Sequence, residues 1–476
     1  MVPDGRVWLG ALRGVMRFDS NSSDINAWRV FNSARYMPNR ESLVYVSSLA
    51  VLTVTEKGLA ILRFEMWTLS QKADHFQMIV DQPGRHEKNG FISDCSMSSW
   101  GDSRTCMKEP DDNDGLWTSM YLGSQIFRYA VTQNTTVKAQ AWKHFEAMEL
   151  LNKVTGGIPG YPARSFAKRS DFLTNIPWYP SPVYADLQFE GDTSSDEICG
   201  HEFVYPLVHD LLASNDDERK RAYTLVFNIT NHILTHDWYL FGENHNRTTW
   251  GYWNPIQIND DSRYQEDRGI SSLEILAYLL QTYGFSGDER FLDGANLLMK
   301  SYKYDVNLIN QKMIATRAQS LIDNLWEYMG IGLDLSHNYK KMEKTPFFNF
   351  IYCYASNQIN QTRNSHNNNF HGLNNRAFQH NCTTLSNDGV WHLQRWPLEL
   401  IQWPQFNSDR LDVQINVPAQ CYQPLKSLQT LPPDERFNKD LNRGVYDLDG
   451  GDGFIETDPT NFLLGYWGMR YFNLLQ

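Results

Sequence analysis

The feature that most constrains the fold is a change of hydrophobic period near residue 66. Before it lie two β-rich runs, DGRVWLGALRGVMRFD (4–19) and VYVSSLAVLTVTEKGLAILRF (44–64). From Thr68 onward, apolar residues recur at helical spacing, and strands do not alternate with helices. Because a parallel sheet requires that alternation, the sequence predicts a mainly α chain behind a short β-rich segment.

The two β-rich runs form a repeat. Each places a strand before a Gly-apolar-apolar turn into another strand, and Gly14 and Gly58 lie 44 residues apart. That period is typical of one propeller blade. We therefore predict that residues 1–65 form a propeller-blade-like segment, incomplete because a propeller closes through at least about four blades. A few hairpins without propeller ancestry are the alternative.

The helical domain is predicted to span residues 66–476. Thr68 and Gln71 have the spacing of a capping box, which predicts a helix start. Further helices are predicted at 116–132, 136–154, 199–213, 216–236, 270–284, 288–304, 319–335, 346–356, 391–402 and 459–474. Roughly a dozen helices in antiparallel pairs favour an (α/α)6 barrel or toroid. An α-solenoid is the alternative, although no helical repeat of about 34–40 residues supports it.

Charge and composition exclude several classes of partner. The net charge of −12 disfavours nucleic acid, which requires a basic face for counterion release. No apolar run reaches about 18 residues, so no membrane span is predicted. No CxxC or HExxH pattern occurs, so neither a metal nor another cofactor is predicted. The sequence does not indicate an oligomeric state.

An extracellular or secretory-pathway location is predicted mainly from the helical architecture, with a cytoplasmic location as the alternative. Cys95 and Cys106 flank a loop that a short disulfide would close, and Cys353 and Cys382 bracket a longer one. The first residues, MVPDGRVW, do not have the pattern of a signal peptide. Six N-x-S/T sequons, a weak signal of glycosylation, begin at Asn21, Asn134, Asn228, Asn246, Asn360 and Asn381.

The first candidate site motif is PDDNDGLWTSMY (110–121). Asp112 and Asp114 precede a predicted helix, and Trp117 lies in its first turn. Carboxylates are favoured at a helix N-terminus, so these residues fit helix capping or a ligand-binding loop about equally.

The second motif is GDTSSDEICGHEF (191–203). Asp196, Glu197 and His201 lie at the start of an otherwise apolar helix, where at least two of them should share a face. Such a pairing can tune a carboxylic acid for proton transfer. In the alternative, Ser194 or Ser195 caps the helix and His201 is a core histidine.

The third motif is TTWGYWNPIQINDDSRYQEDRG (248–269). Its aromatic residues precede several charges, and exposed aromatic rings lose free energy in water unless something covers them. Aromatic platforms beside carboxylates suit a sugar, and an aromatic plug with an ion-pair network is the alternative. The candidate residues here are Trp250, Tyr252, Trp253, Asn254, Asp261, Glu266 and Arg268.

The fourth motif is GVWHLQRWPLELIQWPQFNSDRLDV (389–413). It contains three tryptophans, among which Trp403 is a candidate for ligand stacking. Two Trp-Pro pairs must end or kink helical turns.

Several short sequence motifs together resemble those of a group of largely uncharacterised bacterial and invertebrate proteins in which propeller blades precede a helical domain. They are DNDGLW, TSSDEIxGH, WGYWNP, NDDxxxxEDRG, RWPLELIxWP with NSxR, and LPPDER. The helical domain is more broadly similar to the (α/α) toroids of glycoside hydrolases and polysaccharide lyases. That resemblance implies an architecture, and fold alone does not imply function.

The function we predict is hydrolysis of an oligo- or polysaccharide. An inverting glycosidase needs one protonated and one ionised carboxyl roughly 6.5–9.5 Å apart. Glu197 or Asp196 is the predicted general acid, and Asp261 or Glu266 is the predicted base that activates water. The predicted substrate-binding residues are Asp112, Asp114, Trp117, Trp250, Trp253 and Trp403, with Arg164, Asn254 and Arg268 fixing hydroxyl or carboxylate groups.

Two other functions stay open at this point. A polysaccharide lyase would use His201 or Tyr252 as the base and would neutralise a uronate with Arg164, Arg268 or Asn254. The acidic net charge disfavours such a polyanionic substrate. A binding module without catalysis would instead pair its carboxylates with its own cations.

Overall fold

The protein folds as two compact units. A computed structural model describes residues 6–12, 14–22, 27–38, 43–46, 51–171, 178–265, 267–307, 382–404, 433–435 and 451–475. The first unit comprises Met1–Ile79, Asp94–Met107 and His392–Pro459, and the second comprises Val80–Ser93, Lys108–Trp391 and Thr460–Gln476. The domain boundary predicted between residues 65 and 66 lies inside the first unit and stays a prediction.

The strands are short and lie mostly in the first half of the chain. They are β1 (Arg6–Ala11), β2 (Gly14–Asp19), β3 (Trp28–Phe31), β4 (Leu43–Val46), β5 (Val51–Thr55), β6 (Gly58–Leu62), β7 (Glu87–Lys88), β8 (Phe91–Ile92), β9 (Cys95–Met97), β10 (Cys106–Met107), β11 (Ser165–Lys168), β12 (Trp178–Pro180), β13 (Leu187–Glu190), β14 (Tyr239–Phe241), β15 (Arg247–Tyr252) and β16 (Ile455–Glu456).

The helices dominate the second unit. They are α1 (Leu69–Val80), α2 (Asp114–Thr132), α3 (Thr135–Val154), α4 (Ser195–Leu207), α5 (Asp216–Thr235), α6 (Pro255–Asp260), α7 (Arg268–Ser286), α8 (Glu289–Tyr302), α9 (Tyr304–Asn307), α10 (Cys382–Arg395) and α11 (Thr460–Tyr471). No helix in the described ranges is long and apolar enough to cross a lipid bilayer.

Two three-stranded antiparallel sheets form the start of the first unit, in the orders β1-β2-β3 and β4-β5-β6. Their shared core contains Val15, Phe31 and Val51. Gly14 and Gly58 open β2 and β6 with positive φ, a conformation that glycine adopts without steric cost. The predicted β-rich N-terminal segment is confirmed, and its relation to propeller blades stays a prediction.

The remainder of the first unit includes α1 and the sheet β10-β9-β16. The predicted capping box is present, because the Thr68 N–H donates to Gln71 Oε1 (2.8 Å) and the Gln71 N–H donates to Thr68 Oγ1 (3.1 Å). Cys95 and Cys106 form the short disulfide. The predicted bridge between Cys353 and Cys382 lies outside the described side chains.

Helix α2 is central to the second unit. It packs against α3, α4 and α11, while α5 packs on α4 and α7, and α7 packs on α8. Three antiparallel strands, in the order β11-β13-β12, lie between α3 and α4 in the chain. Sequence periodicity did not predict them because they are three or four residues long. The closed (α/α)6 toroid stays a prediction.

One helix prediction is wrong. Residues 391–402 were expected to be helical, but α10 begins at Cys382 and ends at Arg395. The next residue, Trp396, precedes a proline, whose ring disfavours the α conformation in the residue before it. The predicted helices 319–335 and 346–356 lie outside the described residues.

Candidate functional site

The candidate site is built on a close crossing of α2 and α4. A Cβ added to Gly200 would lie 2.8 Å from Leu116 Cα, and one added to Gly115 would lie 2.3 Å from Glu197 Oε2. Both distances are too short for a carbon atom. The two glycines therefore allow the first turns of α2 and α4 to approach each other.

Glu197 caps α2 from the neighbouring helix. Asn113, the N-cap residue of α2, makes no side-chain capping bond. Instead Glu197 Oε1 accepts a hydrogen bond from the Leu116 N–H (3.0 Å). Burial raises the pKa of Glu197 well above its usual range, while the charge of Arg164 acts in the opposite direction. The fully buried Glu197 carboxyl thus has a structural role at the start of α2.

His201 lies one turn after Glu197 and is also fully buried. Its Nε2 is 3.9 Å from Glu197 Oε2, and its Nδ1 shares a hydrogen bond with Tyr205 Oη at 2.7 Å. Burial lowers the pKa of His201 to about 3, so the ring is neutral at physiological pH. Among the described residues, His201 Nε2 and Glu197 Oε2 are both buried without a hydrogen-bond partner, so His201 is a core histidine with only its Nδ1 satisfied.

Arg164 lies at the centre of a group of carboxylates. Its Nη1 donates to the Asp192 carbonyl (3.0 Å), its Nη2 is 3.4 Å from Asp112 Oδ2, and its Nε is 3.5 Å from Glu190 Oε1. Burial alone would lower the pKa of Arg164. The neighbouring carboxylates, Glu197 foremost, raise it instead.

We call Arg164, Asp112, Glu190, Asp196 and Glu197 the Arg164 cluster, since each carboxylate interacts electrostatically with the guanidinium. Burial raises the pKa of Glu190 to about 8, with Arg164 opposing the shift. The pKa of Asp112 is raised by burial and by the charge of Asp111. The cluster therefore contains carboxyl groups that retain a proton at higher pH than usual.

Asp112 and Asp196 are the accessible carboxylates of the cluster. The side chain of Asp112 is 53% exposed, and Asp196 is half-buried in the first turn of α4. Within the described part of the chain, no hydrogen bond or ion pair occupies the Asp196 carboxylate. These two side chains are therefore the members of the cluster that a ligand from solvent can reach.

Asp114 has a different role. Its Oδ1 pairs with Lys108 Nζ at 2.6 Å, and both side chains are 1% exposed. Ser165 Oγ donates to the other carboxylate oxygen. Burial raises the pKa of Asp114, and the charge of Lys108 opposes that shift. Asp114 thus belongs to a buried ion pair beneath the cluster.

Trp117 contacts the loop that carries Asp112, and Trp250 lies on a strand that is joined to Asp192. Trp117 is half-buried, and its Nε1 donates to Asp111 Oδ1 (3.0 Å). Trp250 lies on β15 and is 55% exposed. The neighbouring Thr249 N–H donates to Asp192 Oδ1 (2.6 Å), which joins β15 to the loop before α4. Distant segments of the chain therefore bring indoles and carboxylates together.

The other residues of the WGYWNP motif are buried. Trp253 is fully buried and its Nε1 donates to Glu274 (2.8 Å). The Tyr252 hydroxyl donates to Asp267 (2.8 Å), and burial, with the charge of Asp267, raises its pKa. Asn254 caps α6 by accepting the Ile256 N–H. A buried ring offers no face to a ligand, so these contacts match the plug interpretation.

The predicted base Asp261 pairs with Arg263 at 2.6 Å, and this pair lowers the pKa of Asp261. Arg268 donates to the carbonyls of Ile258 (3.0 Å) and Asn259 (2.9 Å). Among the described contacts, none joins Asp261 or Arg268 to the Arg164 cluster. Glu266, the other predicted base, lies outside the described residues.

Trp403 belongs to the first unit. Its ring packs edge-on against Trp100, and its Nε1 donates to Glu399 Oε2 (3.1 Å). Because Trp403 is 5% exposed, its ring is mostly covered by its own unit.

Sequence reasoning missed Glu190, Asp192 and Glu243. Glu243 Oε2 accepts a hydrogen bond from Tyr161 (2.7 Å), and its other oxygen lies over Gly191. The available signal for Glu190 and Asp192 was the FEGD run at 189–192, in which an apolar residue of β13 precedes the two carboxylates. Recognising its importance required knowing that β13 ends beside Arg164.

Comparisons with known proteins add little to this geometry. No protein-family model matches the sequence, and no curated protein matches it. Among solved structures, Bacteroides ovatus GH9 aligns with 98% of this chain over 96% of its own length, at 9% sequence identity and a TM-score of 0.37. A TM-score that low does not establish a shared fold, so the functional argument depends on the residues themselves.

Proposed function

We propose that the protein is a carbohydrate-active hydrolase whose acid–base pair is Asp112 and Asp196. The observation that carries this proposal is the gathering of four carboxylates around the single guanidinium of Arg164. Two of those carboxylates are accessible: Asp112 precedes α2, and Asp196 lies in the first turn of α4. An inverting glycosidase requires two such carboxyls, roughly 6.5–9.5 Å apart.

The roles follow from the surroundings of each carboxyl. Asp112 is the general acid, because burial and the charge of Asp111 raise its pKa and favour retention of a proton. Asp196 is the base that activates water. Arg164 keeps the pair in place through its contact with Asp112, and Glu197 fixes the start of α2. This assignment differs from the predicted catalytic roles of Glu197 and Asp261, while Glu266 lies outside the described residues and stays a prediction.

The proposed substrate is an oligo- or polysaccharide. Trp250 presents an exposed indole face, and Trp117 lies in the first turn of α2 beside Asp111. Sugars have apolar faces that stack on such rings and hydroxyl rims that suit carboxylates. We propose an (α/α)6 toroid for the helical domain, and the Cys95–Cys106 disulfide supports a secretory-pathway location.

The test is a screen of the purified protein on a panel of glycans, with product mass analysis. Asp112→Asn and Asp196→Asn should each reduce kcat by roughly 10²–10⁴-fold, the usual contribution of general acid–base catalysis. Asp216→Asn is the matched control, because Asp216 is an exposed carboxylate in the first turn of α5. Full activity in both cluster variants would refute the assignment.

The aromatic contact is tested separately. Trp250→Ala should raise KM more than it lowers kcat, since stacking on the indole stabilises the bound sugar before and during the reaction. Trp100→Ala is the control, because Trp100 is a comparably exposed tryptophan of the first unit. An unchanged KM in Trp250→Ala would remove this residue from the site.

The two alternative functions give different results in the same screen. A lyase releases unsaturated products that absorb ultraviolet light, whereas a hydrolase adds one water to each cleaved bond. The contacts of Arg164 with carboxylates disfavour the lyase, because its charge is already balanced. Glycan binding without any product would identify a binding module and would overturn the proposed hydrolase.

A further inference from the structure

The first unit contains an unusual pair of like charges. In the register of β2 and β3, Arg17 lies directly opposite Arg29. Like charges at directly opposed positions destabilise a sheet. Burial, followed by the charge of Arg29, lowers the pKa of Arg17 to about 10. Something must compensate this repulsion for the pair to be tolerated.

Asp434 compensates part of it. Its Oδ2 accepts from Arg29 Nη2 (2.9 Å), and its Oδ1 accepts from Arg395 Nε (2.8 Å). The carboxylate is 3% exposed, and although burial opposes the shift, the two arginines lower its pKa to about 2. We call Arg17, Arg29, Arg395 and Asp434 the arginine cluster.

The neighbouring carboxylates are already paired. Asp19 pairs with Arg6 (3.1 Å), and Glu399 pairs with Arg35 (3.1 Å). Within the described residues, the arginine cluster thus has three guanidiniums and one carboxylate. This local excess of positive charge occurs in a chain whose net charge is −12.

Two donors of the cluster are buried without an acceptor. The Nε atoms of Arg17 and Arg29 have no hydrogen-bond partner among the described residues. A buried donor that makes no hydrogen bond costs roughly 1–3 kcal/mol. Arginine cannot relieve this cost by losing its proton, because its pKa is too high.

We propose that Arg17 and Arg29 bind a small oxyanion, such as phosphate or sulfate, beside the carboxylate of Asp434. Such an anion has several acceptor oxygens, which can reach the partly exposed side chains of the two arginines, and it supplies the missing negative charge. This site belongs to the first unit and is independent of the proposed hydrolase activity. It accounts for two like charges at directly opposed positions.

The experiment measures the melting temperature of the full chain in increasing inorganic phosphate, with ionic strength held constant by sodium chloride. Binding to the folded state should raise the melting temperature by a few degrees and should saturate. Exclusion of phosphate from the protein surface also stabilises proteins, but that effect does not saturate. Isothermal titration calorimetry gives the dissociation constant directly.

Arg17→Gln should abolish the saturable shift, and without phosphate it should melt at or above the temperature of the wild type, because the repulsion is gone. Arg63→Gln is the control, since Arg63 is an exposed arginine next to β6. Arg17→Lys, which keeps the charge but not the forked donors, should bind at least several-fold more weakly. No saturable shift in the wild type, or a shift in Arg17→Gln equal to that of the wild type, would overturn the proposal.

Discussion

The Arg164 cluster and the arginine cluster have opposite compositions. In the second unit, one guanidinium is surrounded by four carboxylates. In the first unit, the carboxylate of Asp434 contacts two guanidiniums, and a third, that of Arg17, lies opposite one of them. Each cluster contains buried charged groups, so each requires that its excess charge be balanced.

The difference lies in how each cluster can balance its charge. Carboxyl groups take up protons when burial and repulsion raise their pKa, as for Glu190 at about 8. Guanidiniums remain charged at any physiological pH. The carboxylate-rich cluster can therefore use protons, which suits acid–base chemistry, whereas the arginine-rich cluster needs an anion.

Removing the central carboxylate of the arginine cluster should have the largest effect on the free energy of unfolding. Asp434→Asn leaves Arg29 and Arg395 buried without their carboxylate and should reduce the free energy of unfolding by about 3–5 kcal/mol. Urea denaturation at pH 7 measures the change. Asp19→Asn, which affects the more accessible pair with Arg6, should have a much smaller effect. Equal losses of unfolding free energy in the two variants would contradict the conclusion that Asp434 balances the buried arginines.

Arg164→Met should reduce the free energy of unfolding less, by about 1–3 kcal/mol at pH 5, because the carboxyl groups around it can take up protons. The loss should grow toward pH 8, where those groups are forced to ionise. Arg219→Met, which breaks an exposed pair with Asp216, is the control and should be independent of pH in this range. A loss that shrinks as pH rises would refute this explanation.

Acidification should affect the arginine cluster. The pKa of Asp434 is lowered to about 2, so its stabilising contribution is complete above the unfolded pKa near 4 and is lost as pH falls toward 2. The expected loss is on the order of 2 kcal/mol. Unfolding measured between pH 5 and pH 2 should show this slope, and Asp434→Asn should flatten it.

Raising the pH should affect the Arg164 cluster. The folded pKa of Glu190 is about 8 and the unfolded pKa is near 4, so its contribution declines as pH rises between these values. The decline continues until the pH passes the folded pKa, because the carboxyl is then ionised in both states. Glu190→Gln should remove it. If the stability of Glu190→Gln depends on pH as that of the wild type does, then the group with the raised pKa is not Glu190.

The smallest expected effect concerns a helix cap outside both clusters. Thr68→Ala removes the acceptor for the Gln71 N–H at the start of α1 and should cost about 1 kcal/mol, independent of pH and of phosphate. Thermal unfolding measures it. A strong dependence on either condition would show that the pH and phosphate responses are not specific to the clusters.

Local features were predictable from the sequence. The capping box at Thr68, the β-rich start, the Cys95–Cys106 disulfide and most described helices depend on residues that are close in the chain. The error at 391–402 arose because apolar spacing was weighed above the Trp396-Pro397 step.

The candidate site was only partly predictable because its contacts join distant segments. Asp112 and Asp196 were identified as candidates, but Arg164 was assigned to a substrate group rather than to these carboxylates. Aromatic content likewise does not reveal burial, since Trp250 and Trp253 are three residues apart and only Trp250 is exposed. The arginine cluster depends on the register of β2 and β3, which apolar patterning alone does not fix.

The crossing at Gly115 and Gly200 has a consequence for evolution and engineering of the site. Asp112 precedes one helix of that crossing and Asp196 begins the other, so the gap between their oxygens is set by two interior positions that touch no solvent. A single added methyl group there would widen the gap, and carboxyl spacing selects the stereochemical course of glycoside cleavage. In the proposed hydrolase, whose carboxyls must lie roughly 6.5–9.5 Å apart, a mutation invisible from the surface would then lower the rate of cleavage.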